Sequence, residues 1–386
     1  MASDRRLLTI GHSYVVASNR RLAHEMALQG GGRWRVTAVA PARFRGDLRE
    51  IALEPIADEA STLRPAAIRF DRSPHLMWYA DTGRVLQGEW DVVHCWEEPF
   101  VFAAAQIARA VSDRTAFVVS TFQNINKTYP WPLSAFERRV LDRADGWIAF
   151  GDTVHETMLQ RRGDYRRKPS RVIPPGVDTN DFAPRRADGN RIRQQLGWSD
   201  EVPVVGFVGR FVPEKGLRVL EAALTVSKAP WHALLVGSGP LEMELKTFAA
   251  AHPGRVHIAA GVPHAEIPQW LNAMSVLCAP SQTTARWREQ FGRMLIEAMA
   301  CGVPVIASDS GEIPHVVGDA GVLVPEGDPA AWAGAIDAVL GDERSRRGLA
   351  ERGRARAETK FSWQVVARQH LEFFGSLIAG RPHGSR

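Results

Sequence analysis

Residues 275–308 read SVLCAPSQTTARWREQFGRMLIEAMACGVPVIAS, and this stretch decides the fold class. Two short apolar runs, Ser275–Cys278 and Val305–Ala307, predict strands, and Arg293–Ala300 between them predicts a helix. A helix that joins two strands in this way is typical of a parallel sheet with helices packed on its faces. The stretch therefore predicts an α/β fold.

The same alternation of strand-length and helix-length segments runs through the whole chain and predicts two doubly wound, Rossmann-like domains. In the first half the predicted strands are Leu7–Ile10, Arg35–Val39, Asp91–His94, Ala116–Ser120, Gly146–Ala149 and Arg171–Ile173. The predicted helices between them are Ser18–Gln29, Phe100–Ala110, Ser134–Arg143 and Thr153–Arg161. In the second half the predicted strands are Val204–Val208, Ala233–Val236, Val256–Ile258, Ser275–Cys278, Val305–Ala307 and Val322–Val324.

The chain has 386 residues, 45% of them hydrophobic, which is more than one hydrophobic core usually organises. Pro174–Asp178 cannot form regular structure, and the polar, arginine-rich stretch Ala183–Arg193 after it predicts a linker. We therefore expect an N-terminal domain over residues 1–180 and a C-terminal domain over residues 181–360. The terminal segment, residues 361–386, is expected to return to the first domain as a helix, and a simple extension of the second domain is the alternative.

Several classes of protein do not fit this composition. The opening stretch is too short in apolar residues for a signal peptide, and no run approaches the ~18 apolar residues that a membrane span needs. The three scattered cysteines, Cys95, Cys278 and Cys301, suit neither a disulfide framework nor a metal site. We expect a cytoplasmic protein.

The chain is basic, with a net charge of +5 and a pI of about 9.4, so its surface should attract phosphate groups. Nucleic acid is not an expected partner, because no aromatic-basic signature and no zinc-finger spacing occur. The arginine clusters are either solvated faces or a peripheral contact with an anionic membrane at its inner face. No feature of the sequence indicates an oligomeric state.

Residues that directly follow strands are the first candidates for a site, because open α/β sheets bind ligands at the carboxyl ends of their strands. Gly209 and Arg210 follow strand Val204–Val208, and Lys215 precedes the next helix. A glycine lets the backbone approach a ligand, while an arginine and a lysine can converge on a diphosphate. The alternative is a turn glycine with two surface cations.

Gly237 begins a Gly-x-Gly turn after strand Ala233–Val236. Such a turn more often serves the chain reversal than a cofactor, and the dinucleotide spacing GxGxxG is absent because position 242 is Glu242. No P-loop pattern GxxxxGK[ST] occurs either. A dehydrogenase and a P-loop nucleotidase are therefore disfavoured.

The strongest constellation follows strand Ser275–Cys278. The helix that starts near Gly292 offers unpaired backbone N–H groups and a partial positive charge, which together predict a phosphate site. Glu289 lies before this helix and Glu297 about a turn inside it, so the two carboxylates flank the anion and suit hydroxyls at both ends of a sugar–diphosphate–ribose ligand. A solvated helix face is the alternative for two glutamates at this spacing.

This E-x7-E segment resembles the retaining family 4 glycosyltransferases. The resemblance is dense from Arg171 to Gly327 and thin before that. The motifs that carry it are Glu289–Val305, Gly209-Arg210 with Lys215-Gly216, Gly237–Pro240, Ser308–Glu312 and Pro174–Asp178.

The resemblance implies a GT-B architecture, with two Rossmann-like domains that face a cleft and a donor bound mainly by the second. It implies retaining transfer from a nucleoside-diphosphate sugar without a metal or another cofactor. The family reads the base largely through the backbone, so the resemblance does not distinguish UDP, GDP and ADP; we expect a UDP- or GDP-linked donor. In the catalytic set, Arg210 and Lys215 would hold the diphosphate and Glu289 the hydroxyls of the donor sugar. The remaining donor-binding positions are Glu297 at the ribose, Val262 beside the base, Gly209 and Gly237 at the turns, and Gln290, Phe291, Gly292, Arg293, Met294 and Leu295 around the phosphate and sugar.

The first domain departs from the family pattern in two places. Where many relatives have a Gly-Gly loop after the first strand, this chain has Gly11-His12, and the usual histidine after a middle strand is missing before Gln123 and Asn124. In relatives that histidine contacts the donor sugar; His12, His94 and Gln123 are candidates to make this contact instead, and all three, with Asn124, are candidates on the acceptor side. A buried structural histidine is the alternative reading. The acceptor is expected to be a small molecule, a glycan or a lipid-linked molecule.

Two other functions remain compatible with the sequence. One is a phosphorylase or a nucleotide-sugar epimerase with the same GT-B fold. The other is a non-catalytic protein that binds sugar nucleotides. Nucleotide release from a panel of nucleotide sugars would separate the three functions.

Overall fold

The computed structural model describes residues 4–45, 50–161 and 163–381. The chain forms two compact units: unit 1 comprises Met1–Pro175 with Trp363–Arg386, and unit 2 comprises Gly176–Ser362. The chain thus passes between the units after Pro175 and after Ser362, a few residues from the predicted positions 180 and 360. Residues 382–386 of the predicted terminal segment lie outside the described residues.

Unit 1 is built around a parallel sheet, as the alternating pattern predicts. Its strands are β1 (Arg5–Ile10), β2 (Trp34–Pro41), β3 (Arg43–Arg45), β4 (Glu50–Ala52), β5 (Thr62–Ala66), β6 (Ile68–Arg69), β7 (Trp78–Tyr79), β8 (Val92–Cys95), β9 (Ala116–Thr121), β10 (Gly146–Ala149) and β11 (Ser170–Val172). In the part of the chain that the structure describes, seven of them form the main sheet in the order β11-β10-β9-β8-β1-β2-β5, and all of its pairings are parallel. The pairs β3–β4 and β6–β7 are antiparallel and lie outside this sheet.

Helices cover both faces of the unit 1 sheet. They are α1 (Ala17–Gln29), α2 (Thr82–Leu86), α3 (Phe102–Ala110), α4 (Leu133–Arg143), α5 (Asp152–Arg161) and α6 (Gly163–Arg166), with a 3-10 turn at His12–Val15. The inner strands β8, β9 and β10 are buried along their whole length, which explains their continuous apolar runs.

Unit 2 repeats this architecture. Its strands are β12 (Val204–Val208), β13 (His232–Val236), β14 (Val256–Ala259), β15 (Val276–Ala279), β16 (Val305–Ser308) and β17 (Gly321–Val324). They pair in parallel in the order β14-β13-β12-β15-β16-β17. Its helices are α7 (Arg186–Gln195), α8 (Leu217–Val226), α9 (Glu242–Ala251), α10 (Ile267–Asn272), α11 (Arg293–Ala300), α12 (Ile313–Val317), α13 (Pro329–Gly341) and α14 (Glu343–Arg356). Shorter turns lie at Pro213–Lys215, His264–Glu266, Gly318–Ala320 and Ala357–Phe361.

Each sheet has a point at which its strand order reverses. In unit 1 the chain runs outward from β1 to β2 and later returns to the other side of β1 with β8. In unit 2 it runs from β12 through β13 to β14 and returns to the other side of β12 with β15. Loops leave such a strand pair in opposite directions, and the crevice between them at the carboxyl ends is where open α/β sheets bind ligands. We call these the unit 1 and unit 2 switch points.

The predicted linker over Ala183–Arg193 is wrong for most of its length. Residues Arg186–Gln195 form α7, which packs on α10 with Ile192 buried in the core of unit 2. Arg193 donates to the carbonyl of Ala273 at 2.9 Å and to Ser275 at 3.0 Å. Arg193, one of the arginines that suggested a solvated linker, therefore binds α7 to the rest of unit 2.

The last helix, α15 (Trp363–Ala379), belongs to unit 1, as the sequence predicts. It packs along α1, where Gln364 donates to Glu25 at 3.3 Å and Arg368 donates to Gln29 at 2.8 Å. Its apolar face is buried in the core of the sheet; the buried residues are Trp363, Val366, Ala367, His370, Leu371, Phe373, Phe374 and Leu377. The apolar residues of α15 thus complete one face of unit 1.

Candidate functional site

Two predicted site residues meet across the unit 2 switch point. Lys215 follows β12 and Glu289 follows β15, and the lysine Nζ lies 2.5 Å from Oε2 of the glutamate. Both side chains are largely buried, with exposures of 12% and 8%. Ser281, directly after β15, donates to the same carboxylate oxygen at 2.8 Å. A cation, a carboxylate and a hydroxyl therefore converge where a ligand of this sheet should bind.

Gly216 sets the position of Lys215. Its φ of +69° is left-handed, and a Cβ at this position would lie 1.7 Å from the carbonyl oxygen of Pro280. The turn that carries Lys215 therefore sits directly on the loop after β15, and the amide of Gln282 donates to the carbonyl of Glu214 at 2.8 Å. Because of this close approach, two loops from different strands place their side chains together.

Trp287 lies beside the same pair. The ammonium of Lys215 is 5.1 Å from the centre of the Trp287 ring, within the range of a cation–π contact. The tryptophan amide donates to the hydroxyl of Thr284 at 3.0 Å, which closes the loop into a turn. The lysine is thus held on one side by a carboxylate and on another by an aromatic face.

Helix α11 starts next to this pair. Gly292 precedes it with φ +83°, and the helix runs from Arg293 with the side chains of Met294 and Leu295 buried. Phe291 is also buried, while Gln290 is exposed. The amides of the first helical turn lie at the positive end of the helix dipole and have no acceptor one α-helical turn earlier, although the amide of Leu295 donates to the carbonyl of Gly292 at 2.9 Å. Because the side chains of Phe291, Met294 and Leu295 are buried, the predicted phosphate contacts of this segment would have to come from backbone N–H groups before Leu295.

Glu297 lies one turn inside α11 and is nearly buried. Its Oε1 lies 3.0 Å from Nε2 of His264, which belongs to the turn after β14. His264 is half exposed, and its ring contacts that of Phe182 with 5.5 Å between centroids. Glu297, which is predicted to bind the ribose, thus contacts His264, which lies in the loop predicted to be beside the base.

The remaining donor-side candidates lie along the same edge of the sheet. Gly209 and Gly237 follow the adjacent strands β12 and β13, and a Cβ on Gly237 would lie 1.8 Å from the carbonyl oxygen of Gly209. Val262 follows β14 and packs on the core. Arg210 is exposed, and its guanidinium makes no hydrogen bond or ion pair with the described residues. Its role at a diphosphate remains a prediction.

In unit 1 the switch point also carries a contact between a basic side chain and a carboxylate. His12 follows β1 and Glu97 follows β8, two residues beyond the paired positions Ile10 and Cys95. The backbone amide of His12 donates to Oε1 of Glu97 at 2.6 Å, and the ring Nδ1 of His12 contacts Oε2 of the same carboxylate. The hydroxyl of Tyr79 donates to Oε1 at 3.1 Å. Glu97 is fully buried, whereas a quarter of the His12 side chain is exposed.

His94 does not reach the surface and is removed from the acceptor-side candidates. It is fully buried, and its two ring nitrogens lie 3.0 Å from Thr9 Oγ1 and 2.9 Å from Ser120 Oγ. Burial, with His370 of α15 beside it, holds the pKa of His94 well below its usual value. Burial also lowers the pKa of His370, to about 4. These two histidines are neutral core residues, the structural alternative stated above.

The other two acceptor-side candidates are less accessible than the sequence implied. Asn124 is buried, which also removes it as a direct acceptor contact. Gln123 is partly buried, and its Nε2 donates to the hydroxyl of Tyr129 at 2.9 Å. Next to them, Glu98 accepts from Thr121 Oγ1 and from the amide of Phe122, and burial raises its pKa to about 7. This glutamate fixes the loop after β9.

Two residues of the sites, Ser281 and His264, were absent from the predicted set, and the contact of Glu97 with His12 was not predicted. Each follows a strand by a few positions, so the rule that selected Lys215 and Glu289 applies to them as well. What the sequence lacks is the pairing of β1 with β8 and of β12 with β15. Without that strand order, the sequence does not show which residue a glutamate after a strand contacts.

Two family models match the chain over complementary parts. The model for glycosyl transferases group 1 matches residues 188–356, and the model for glycosyltransferase family 4 matches residues 15–181. The second match covers the half in which the sequence motifs were sparse. Together with the relatives described next, these matches show that the chain belongs to the family 4, group 1, glycosyltransferases.

Curated relatives act on inositol-containing molecules, as their names state. The chain is 31% identical over 302 residues to a phosphatidyl-myo-inositol mannosyltransferase of Mycolicibacterium smegmatis, covering 76% of this chain and 73% of that protein. It is 29% identical over 312 residues to a D-inositol 3-phosphate glycosyltransferase of Corynebacterium jeikeium, covering 77% and 71%.

Solved structures share the fold. A sucrose-phosphate synthase from Thermosynechococcus elongatus has a TM-score of 0.72 at 22% identity, over 98% of this chain and 100% of that one. Anabaena HepE, solved in complex with UDP, has a TM-score of 0.72 at 21% identity, over 96% and 100%. The fold is therefore GT-B. Within the described residues, no helix is both long enough and apolar enough to cross a bilayer.

Proposed function

We propose that this protein transfers a sugar, with retention of configuration, from a nucleoside-diphosphate sugar to a hydroxyl of an inositol-phosphate-type acceptor. The observation that carries the proposal is the convergence of Lys215 and Glu289 across the unit 2 switch point, beside the start of α11. A lysine and a helix N-terminus suit a diphosphate, and a neighbouring carboxylate suits sugar hydroxyls. UDP and GDP are the proposed carriers.

The proposed reaction exchanges one bond at the anomeric carbon for another. The bond from that carbon to the diphosphate oxygen breaks while the acceptor oxygen bonds to the same face, and the acceptor proton passes to the departing phosphate oxygen. Lys215, Arg210 and the α11 amides stabilise the charge that develops on the diphosphate. Because Glu289 is bound by both Lys215 and Ser281, we assign it to holding the sugar rather than to nucleophilic attack.

We propose that no metal ion takes part, since cationic side chains and a helix dipole supply the charge stabilisation. The initial rate should therefore be the same with and without excess EDTA in the transfer assay. A loss of activity that added Mg²⁺ or Mn²⁺ restores would contradict this part of the proposal.

The proposed acceptor class rests on the relatives named above, whose names give inositol 3-phosphate and phosphatidyl-myo-inositol. Both combine a polyol with a phosphate group. The first is a soluble molecule and the second is a lipid headgroup. The same protein groups could bind the phosphorylated polyol in both.

We also propose peripheral contact with an anionic membrane. In unit 1 the loop before α4 exposes Trp131 to 82%, and the outer face of α4 exposes Arg138 and Arg139. An exposed tryptophan beside basic residues suits the headgroup region of an anionic bilayer. Such a contact would bring the enzyme to a lipid-linked acceptor.

The direct test removes the groups assigned to the donor. Lys215→Ala and Glu297→Ala should each lower sugar transfer by about 100-fold or more, because each removes a contact to the diphosphate or ribose. Circular dichroism should show an intact fold. Lys246→Ala is the matched control, since this exposed lysine pairs with Glu242 on α9, away from the switch point. Undiminished transfer in both site variants would refute the proposal.

The two alternative functions make different predictions in one further assay. A panel of UDP- and GDP-sugars with and without inositol phosphates should give transfer, or slow hydrolysis without acceptor. Isomerised donor or phosphate-dependent cleavage would indicate an epimerase or a phosphorylase. Binding without any turnover would indicate a non-catalytic protein.

A further inference from the structure

The two switch points of this molecule are built alike. At each, a side chain that can carry positive charge follows the central strand, a glutamate follows the strand on its other side, and the two are in contact: Lys215 with Glu289 and His12 with Glu97. In unit 2 this pair marks the proposed donor site. The corresponding pair in unit 1 has no function assigned by the proposed reaction.

The geometry of His12 leaves one ring nitrogen available. The ring Nδ1 contacts Glu97 and the backbone amide of His12 donates to the same carboxylate, so the residue is held at two points, one of them on the ring. The Nε2 atom has no hydrogen-bond partner among residues 4–45, 50–161 and 163–381. A quarter of the side chain is exposed, so a ligand can approach it. The ring also stands 4.7 Å from that of Phe44, which limits its rotation.

The surroundings of Glu97 favour a charged imidazolium. The carboxylate is fully buried, and besides His12 it accepts from the hydroxyl of Tyr79. Burial lowers the pKa of His12, but the charge of Glu97 and its hydrogen bond outweigh this, and the pKa of His12 lies above its usual value. Below that pKa the ring carries N–H groups on both nitrogens.

We propose that His12, fixed by Glu97, is the acceptor-binding residue of unit 1 and that its Nε2–H donates to an anionic phosphate group of the acceptor. The inference rests on the proposed function and adds the residue that recognises the acceptor. The ligand is a phosphorylated polyol, either free or as a lipid headgroup. Glu97 is a positioning residue, because it touches His12 and not the ligand.

His94 shows what a structural histidine looks like in the same unit. It is fully buried, both of its nitrogens have partners, and its pKa is lowered. His12 differs in all three respects: it is partly exposed, one nitrogen points away from its carboxylate partner, and its pKa is raised. A role in the core does not account for this combination.

The first experiment measures binding without catalysis. NMR titration of the full chain carrying ¹³C-labelled histidine should show the pKa of His12 rising when D-inositol 3-phosphate or vesicles containing phosphatidylinositol are added, because an anion stabilises the imidazolium. Unphosphorylated inositol should cause no shift, and the exposed His75 is an internal control that should not respond. A response to the soluble phosphate alone or to vesicles alone identifies the source of the ligand. No shift with either anionic probe overturns the proposal.

The second experiment uses kinetics. His12→Asn keeps an amide nitrogen near the position of Nδ1, and so the contact with Glu97, but removes Nε2. It should raise the KM for the phosphorylated acceptor by about tenfold or more and change the KM for the donor less. In the wild-type protein, kcat/KM for the acceptor should fall as pH rises. In Glu97→Gln this fall should occur at a lower pH, because the imidazolium of His12 loses its proton at a lower pH without the carboxylate. His75→Asn should change none of these values.

The outcomes separate this inference from the proposed function. A wild-type protein that neither transfers nor hydrolyses any nucleotide sugar refutes the proposed function. A wild-type protein that transfers sugar to the phosphorylated acceptor, while His12→Asn keeps the wild-type KM and pH profile, refutes only the assignment of His12.

Discussion

Single residues at the switch points decide how each site responds to solution conditions. Lysine side chains have an ordinary pKa near ~10.4, well above the physiological range. A histidine titrates within that range, and the charge of His12 therefore depends on its carboxylate partner. The proposed contact of His12 with the acceptor therefore weakens as pH rises.

The close approach of Gly216 to the loop after β15 can be tested by substitution. Gly216→Ala should destabilise unit 2 by more than about 2 kcal/mol, because its Cβ would collide with the Pro280 carbonyl and its φ is left-handed. Chemical denaturation measures this loss. Sugar transfer should fall as well, since Lys215 moves with the turn.

Gly197→Ala is the matched control for that experiment. Gly197 has the same φ of +69°, and an added Cβ would meet nothing within 4 Å. The control should cost only about 1 kcal/mol for the backbone conformation. Equal destabilisation by the two variants would show that the approach to Pro280 does not matter.

At the scale of elements, α4 has two faces with different tasks. Val140 and Leu141 are buried against the sheet, while Arg138 and Arg139 point outward and Trp131 precedes the helix in an exposed loop. An amphipathic helix with basic residues and a neighbouring tryptophan can lie on an anionic membrane without inserting deeply.

Vesicle co-sedimentation tests this surface. Replacing Arg138 and Arg139 together by glutamate should weaken binding to vesicles rich in phosphatidylglycerol at least about tenfold, because each basic residue near the surface contributes about 1 kcal/mol. The same double exchange at Arg344 and Arg347, exposed on α14 of unit 2, is the control and should have a smaller effect. Equal losses in both variants would indicate general charge attraction instead of a defined face.

The elements that could be predicted from sequence are those whose local pattern agrees with their burial. The inner strands β8 to β10 and β12 read as continuous apolar runs, and their predicted bounds differ from the structure by at most one residue. Strand β5 was missed because Arg64 and Pro65 interrupt it, which only an edge strand tolerates. Helix α7 was missed because its surface is so polar that it reads as a loop.

For the whole molecule, the sequence predicted the arrangement of residues 289–297 but not the contact between His12 and Glu97, and the reason is physical. Residues 289–297 are close in sequence, so one loop and one helix suffice to predict their arrangement. His12 and Glu97 are 85 residues apart and meet only because β1 pairs with β8. A contact of that kind depends on strand order, which local patterns do not contain.

Helix α15 has one more consequence, for the order in which the protein takes shape on the ribosome. Unit 2 is continuous in sequence, whereas unit 1 lacks Trp363, Phe374 and Leu377 from its core until the final helix is synthesised. At a typical elongation rate, roughly 10 to 40 s separate the end of β11 from the start of α15. During translation the second unit can therefore complete its core first, while the nascent first unit holds an apolar face open for its last helix.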